Sequence, residues 1–268
     1  MKGIKYLLLG IALILASSTT CFAQTEAEKE EIDSLWNDWN FRINPYFWMI
    51  GLKGEIVRPP QLTNPIERPS YDIDVGFLDI ASSIKFAIML SGQYKSDNII
   101  AQFNFSSLIM ESEAITPAEI ILQGSTVNLK YYSGDLGMGY RFIKNGTFEL
   151  DALGVLKFIR YDISLSTNLG GTVPIEGERG RNWMDPSLGL NFKYRPFKRT
   201  EFMFYGDLGS TIFATDFSYQ TIFAFNYLFS KSFLATVGYR YYYLNVPEDD
   251  AIYNGSVRGA IVRIGFQF

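Results

Sequence analysis

The sequence predicts an all-β fold: a closed antiparallel transmembrane β-barrel of about ten strands (eight to twelve), preceded by a short N-terminal periplasmic helix. Three observations predict it. From Ile43 onward, apolar and polar side chains alternate at period two, the spacing of a strand with two unlike faces. The connections between these stretches are in turn short and long. No stretch after the leader offers the roughly 18 consecutive apolar residues of a membrane helix. An exported chain that enters a membrane without helices must close into a barrel, because only those two structures satisfy their own backbone groups in lipid. An aromatic content of 16%, with 22 Phe and 17 Tyr, fits girdles at two interfaces.

Residues 1–23 read as a signal peptide. Lys2 and Lys5 form the charged start, Tyr6 to Ala16 the apolar run, and Cys21-Phe22-Ala23 the cleavage site before Gln24. Ser18-Thr19-Thr20 before Cys21 do not form a lipoprotein signal. The mature chain is then expected to lack cysteine, and with it disulfide and thiol chemistry. Without Lys2 and Lys5, 22 basic residues face 28 acidic ones, a net charge of −6. That balance gives no support to nucleic-acid binding.

Residues 24–42 form a separate N-terminal segment. Ile32, Leu35, Trp36 and Trp39 fall at helical spacing, which predicts a short amphipathic periplasmic helix with Trp36 and Trp39 at the membrane interface.

The barrel is expected over residues 43–268. The first strand places Tyr46, Trp48, Ile50, Leu52 and Ile56 on its apolar face and Gly51, Lys53 and Glu55 on the other. The second sets Phe86, Ile88 and Leu90 against Lys85, Ser91 and Gln93. In the third, Ile99, Phe103 and Phe105 oppose Gln102, Asn104 and Ser106. The fourth sets Leu136, Met138, Tyr140 and Phe142 against Asp135, Gly137, Gly139 and Arg141. Its upper half runs in the opposite parity, which predicts a bulge near Tyr131 to Ser133. The fifth opens with Phe148, Leu150 and Ala152 against Glu149 and Asp151, and slips parity near Phe158. The sixth sets Leu188, Leu190, Phe192 and Tyr194 against Asp185, Asn191 and Lys193, and the seventh Phe202, Phe204 and Leu208 against Glu201 and Asp207. In the eighth, Phe223, Phe225, Tyr227 and Phe229 oppose Gln220 and Asn226; in the ninth, Val237, Tyr239 and Tyr241 oppose Thr236 and Arg240. The last carries Val262, Ile264, Phe266 and Phe268 against Ile261, Arg263 and Gln267.

Short polar turns are expected at residues 95–98, 144–146, 196–199 and 230–232. Longer loops are expected at residues 58–83, 112–125, 166–181, 209–218 and 246–254. Such sorting is the habit of outer-membrane barrels, and an even strand count puts both termini on the short-turn, periplasmic side.

Asn44-Pro45-Tyr46-Phe47-Trp48, Trp183-Met184-Asp185-Pro186, Gly238-Tyr239-Arg240 and the terminal Phe268 resemble small bacterial outer-membrane β-barrels of the OmpW/OmpX-like superfamily. The nearest likeness is to members without an assigned activity. The resemblance implies an integral outer-membrane location in a Gram-negative cell, contact with outer-membrane lipids, and Phe266 and Phe268 as the insertion signal read by the outer-membrane insertion machinery. That group is usually eight-stranded, so a count of ten departs from it.

The faces opposite the apolar stripes carry Lys53, Lys85, Arg141, Lys157, Lys193, Arg240 and Arg263 against Glu55, Asp135, Glu149, Asp151, Asp185, Glu201 and Asp207. Buried charges persist when paired, so the balance predicts a lumen crossed by ion pairs, with Arg141, Arg240 and Arg263 paired to Glu149, Asp151, Asp185 and Asp207. A barrel of this size is filled by its own side chains rather than open as a channel. The chain has no histidine, so the side chain best suited to proton transfer near neutrality is absent. No enzyme activity, cofactor or metal site is expected. Asp249-Asp250 read as a solvated loop tip, and Gly170-Gly171 lack the lysine of a phosphate loop. The expected role is structural or that of a small-solute pore, in a monomer. The alternatives are a barrel binding or passing a small hydrophobic ligand, and an adhesin acting through its long loops.

Overall fold

A computed structural model describes residues 26–57, 70–112, 125–169, 173–210, 217–245 and 253–268. The expected signal peptide, Asp249-Asp250 and Gly170-Gly171 lie outside them. Helix α1 (Glu26–Asn37) leads into β1 (Phe41–Trp48), β2 (Gly51–Val57), β3 (Ser70–Val75), a one-turn α2 (Phe77–Ala81), β4 (Ile84–Ser96), β5 (Ile99–Ser112) and β6 (Ser125–Lys144). There follow β7 (Phe148–Leu169), β8 (Val173–Phe197), β9 (Thr200–Gly209), β10 (Phe217–Ser230), β11 (Phe233–Asn245) and β12 (Tyr253–Gln267). From β4 to β12 every strand pairs antiparallel with the next, and β1 pairs with both β4 and β12, so the sheet closes. The barrel starts at Phe41, two residues before the expected Ile43.

β1 and β2 form one stave. Both pair with β12 in a single register, Trp48 opposite Ile261 and Gly51 opposite Arg258, with no residue inserted at the break. The strand buckles at Met49 and Ile50 against Gly259, where an added Cβ would lie 1.7 Å from the Met49 carbonyl oxygen. The ring therefore has ten staves, with β3 and α2 lying within the expected long 58–83 connection. At the seam the Phe268 carbonyl accepts from the Asn40 and Phe41 amides (2.8 and 3.2 Å), while the Phe268 amide donates to Phe41 (2.8 Å). The short turns, α1 and Phe268 share one end of the barrel, called the near end below.

The outer wall is apolar because each stave turns one parity outward. Leu136, Met138, Leu188, Leu190, Leu208 and Val237 are more than half exposed on this face. Aromatic side chains bound the belt. At the near end Phe148 stacks on Tyr194 with centroids 4.9 Å apart, and Phe229, Phe233 and Phe266 form a chain of ring contacts. At the far end Tyr219 stacks on Tyr241 and Tyr243. Tyr219 and Phe229 lie ten residues apart on β10. At about 3.3 Å per residue and a tilt near 40°, that separation spans roughly 25 Å, the height of a barrel's apolar band. Two outward residues on β8 test the belt. Leu190→Arg, in mid-belt, is expected to cost roughly 2–4 kcal/mol and Asn182→Arg, higher on the same face, about 0–1. Reversible unfolding in lipid measures both, and equal costs would misplace the belt.

Several details differ from the alternation read in sequence. Tyr46 and Trp48 point inward with Arg42 and Asn44, and Phe41, Pro45 and Phe47 point outward, so the two faces of the first strand were exchanged. No register shift occurs at Tyr131 to Ser133; the bulge lies between Arg141 and Ile143, and β7 pairs with β8 through Phe158 without interruption. The parity change has another cause: Leu129, Tyr131, Val155, Ile159 and Tyr161 face an interior that is itself apolar at the far end. The expected 166–181 loop is mostly strand, with Leu169 paired to Val173. Trp36 and Trp39 are buried under the barrel mouth (0% and 5% exposed), not placed at a lipid interface.

Candidate functional site

The lumen divides into three levels. The near end is covered by α1. Ile32 and Trp36 pack against the inward Leu228 and Leu234, and Trp36 Nε1 donates to the Lys198 carbonyl (2.9 Å). Gly146 is needed because a Cβ there would come within 2.2 Å of the Lys29 carbonyl oxygen. Cations from the wall reach up to the helix end. Lys95 donates to the Trp36 carbonyl (2.9 Å) and Asn37 (3.0 Å), and sits 3.8 Å over the Trp39 ring. Arg42 lies 4.1 Å from the same ring.

Above the helix lies a buried charge cluster. Glu149 accepts from Lys193 and from Arg195 (2.8 Å), and Arg141 Nε stands 3.4 Å away. Arg141 also donates to Asp151 (3.2 Å), and Arg195 to Glu201 (2.7 Å). The cluster builds itself from strand register: Arg141, Asp151 and Asn191 are successive partners across β6, β7 and β8, as are Glu149 and Lys193. Asn191 and Asn226 donate to the remaining oxygens of Asp151 and Glu201. Three cations and three carboxylates, all at most 3% exposed, thereby compensate one another, the condition for charges to persist away from water. A second pair, Lys157 with Asp207, takes a further bond from Gln220 to Asp207 (3.1 Å). Arg240 donates to Gln220 (2.7 Å), approaches Asp135 (3.6 Å), and lies 4.5 Å over Trp48. Asp185 is fully buried opposite Lys157 in the register.

The far-end level is apolar. Trp48, Ile50, Ile80, Met89, Leu108, Met110, Ile159 and Tyr242 are buried in one cluster. Between it and the charged level is a cavity of about 120 Å³, lined by Arg42, Asn44, Asn104, Tyr205, Arg240 and Arg263 among others.

Most of the residues predicted from sequence meet in this lumen, but not all. Lys53 and Glu55 are outside it: β2 turns Leu52 inward, so Lys53 points out and donates to Asp74 (2.8 Å), itself 3.2 Å from Arg258. The Lys53 ammonium holds the Asp74 carboxyl below the usual carboxylate range. Lys85 is exposed at the bulge between Ile84 and Phe86. Arg263 faces inward but makes no ion pair among the described residues; its partner is the Tyr46 ring, 5.5 Å away. Phe266 and Phe268 are exposed on the outer face at the near end. Arg42, Lys95 and Arg195 were missed in sequence. Arg195 continues the Asn191, Lys193 alternation by one step, a signal hidden by the turn read at Pro196. Lys95 falls on the polar parity of the second strand with Ser91 and Gln93 but also opens the short turn, which leaves it out of the charge balance, and Arg42 falls in the N-terminal segment. Among the described residues the lumenal cations are thus Arg42, Lys95, Arg141, Lys157, Lys193, Arg195, Arg240 and Arg263, against Asp135, Glu149, Asp151, Asp185, Glu201 and Asp207. The excess is two positive charges.

A closed ten-stave barrel with an apolar outer belt, two aromatic girdles and a charged lumen defines a transmembrane β-barrel of the outer-membrane class. The fold is similar to that of the outer membrane protease OmpT from Escherichia coli, with a TM-score of 0.54 at 8% identity over 85% of this chain and 97% of that one. Ail, the attachment invasion locus protein of Yersinia pestis, aligns with a TM-score of 0.37 at 13% identity, over 85% and 99% of the two chains. Neisserial surface protein A gives 0.31 at 12% identity, over 85% and 97%. No family model matches the sequence, and no curated protein is similar to it.

Proposed function

We propose that this chain is a non-catalytic, monomeric outer-membrane barrel with a structural role and a lumen shut at rest. Both termini lie in the periplasm and the far end presents the long connections to the outside. The observation that carries this reading is occlusion at three successive levels: Trp36 and Ile32 at the mouth, the Glu149 cluster in the middle, and the Trp48 and Tyr242 cluster beyond. A barrel of this size has no room for a wide aqueous path once its inward side chains are placed. The sorting of turns by length supports the orientation. The motif residues around Pro45, Pro186 and Arg240 support kinship with OmpW/OmpX-like barrels that lack an assigned activity. The protease activity in the name of OmpT is not carried over, because a likeness at 8% identity extends to fold only.

A second reading, a small-solute path gated by α1, is favoured by the cavity that interrupts the lumen packing beside the charged level. Recording in planar bilayers separates the two. The intact protein is expected to show no steady conductance, and removal of residues 24–40 to leave it silent because the two upper levels remain. Conductance appearing on that removal would favour the gated path; steady conductance of the intact chain would overturn both.

A further inference from the structure

The positive charge is not spread evenly around the lumen. Among the described residues β6 to β9 carry four of the cations and all six carboxylates, while Arg42, Lys95, Arg240 and Arg263 stand on β1, β4, β11 and β12. Arg240 faces Asp135, Lys95 caps the helix end, and Arg42 and Arg263 make no ion pair among the described residues. Arg42 spends its guanidinium on Gln267, with bonds of 3.1 and 2.7 Å to Oε1, and on the Trp39 ring. Arg263 has less. Its Nε is buried without a hydrogen-bond partner among the described residues, and its guanidinium lies 5.5 Å from the Tyr46 ring. The Tyr46 hydroxyl is already engaged with Asn104 and Ser106. Arg240, nearby, reaches Asp135 only at 3.6 Å. An arginine cannot shed its proton to relieve such a site, and a half-buried charge without a counter-ion is poorly compensated. The cavity beside it, about 120 Å³, holds several waters or one small ion at about 30 Å³ per water. Amide side chains of Asn44 and Gln102 add further donors to its wall.

We propose that this cavity is a binding site for a small oxyanion, a carboxylate or inorganic phosphate, with Arg263 as its principal ligand and Arg240 as its second. A guanidinium presents parallel N–H donors that match two oxygens of one such anion. The bound anion supplies the carboxylate that β12 lacks and brings the lumen toward charge balance. This site does not depend on whether the lumen conducts.

The test is thermal unfolding of the full chain, refolded in micelles with sodium acetate and, separately, with sodium phosphate. Sodium chloride, whose anion has no pair of oxygens for the guanidinium fork, holds the ionic strength constant. An anion bound only by the folded state raises Tm by an amount that grows with the logarithm of its concentration. That is roughly 3–6 °C for each tenfold increase above saturation, in a chain of this size. Arg263→Gln is expected to lose the dependence on both anions, Arg263→Lys to keep part of it, and the outward variant Lys53→Gln to keep all of it. In chloride alone Arg263→Gln should be at least as stable as the natural chain, since it removes a half-buried charge without a counter-ion. A wild-type Tm that ignores both anions would overturn the site. So would an equal anion-dependent rise in Arg263→Gln.

Discussion

Replacing Glu149 with Ala is expected to destabilise the barrel by roughly 3–5 kcal/mol, the usual cost of removing one partner from a buried ion pair. Glu149 stands among Lys193, Arg195 and Arg141, so its loss strands three cations with Asp151 and Glu201 alone to balance them. Glu149 does not line the cavity above, and α1 covers the cluster below, so no other carboxylate takes its place. Removing Lys193 as well, as Glu149→Ala/Lys193→Met, should recover part of the loss, because the double variant restores the balance of the cluster. Asp74→Ala provides the contrast. Asp74 also meets two cations, Lys53 and Arg258, but in the open, with its side chain 58% exposed. Ion pairs in water contribute little, so a change within about 0.5 kcal/mol is expected. Reversible denaturant unfolding in lipid measures all three. A loss below about 1 kcal/mol for Glu149→Ala would show that water reaches the cluster.

Trp36→Ala should have an effect of similar size on a different process. Truncating a fully buried Trp costs roughly 3–5 kcal/mol, and Trp36 also donates to Lys198 and stacks near Arg195. Residues 38–40 join the helix to the first stave, so it can leave the mouth while the staves stay paired. The loss is therefore capped at the docking energy of α1. Hydrogen exchange of the α1 amides should accelerate by two or more orders of magnitude, at about 1.4 kcal/mol per tenfold, with the strand amides little changed. Trp36→Phe should keep most of the protection. Unchanged α1 exchange in Trp36→Ala would show that Ile32 and the wall cations hold the helix without the indole.

The staves were legible in sequence because a transmembrane strand in contact with lipid must turn every second side chain outward as apolar. Leu188, Leu190, Phe202 and Phe204 leave no doubt about parity. The near-end charges followed, since the other parity of those strands must face in. What the sequence conceals is any place where both faces are apolar. Tyr46 and Trp48 are as hydrophobic as Phe47, and only pairing with Arg263 and Ile261 on β12 reveals that they fill the lumen. The same masking turned the Val127 to Tyr131 stretch into an apparent bulge. Charge balance failed for a related reason. Exchanging the faces of the first stave put Lys53 and Glu55 in the lumen, whereas Leu52 faces in and both charges face out. The pairing of Arg195 with both Glu149 and Glu201 needs three strands in register, which no single strand's pattern contains.

The seam between β1 and β12 also sets an order of events. Arg42 and Gln267 touch across 225 residues of chain, and contacts so distant must wait until the intervening chain has been threaded. Arg263 and Gln267 belong to the last stave, and Tyr46 and Arg42 to the first. The cavity wall that carries the unbalanced guanidinium therefore comes into being only as the ring shuts. Any ion held there can bind only after the last stave has met the first, so it acts on the closed ring and not on the steps that lead to it.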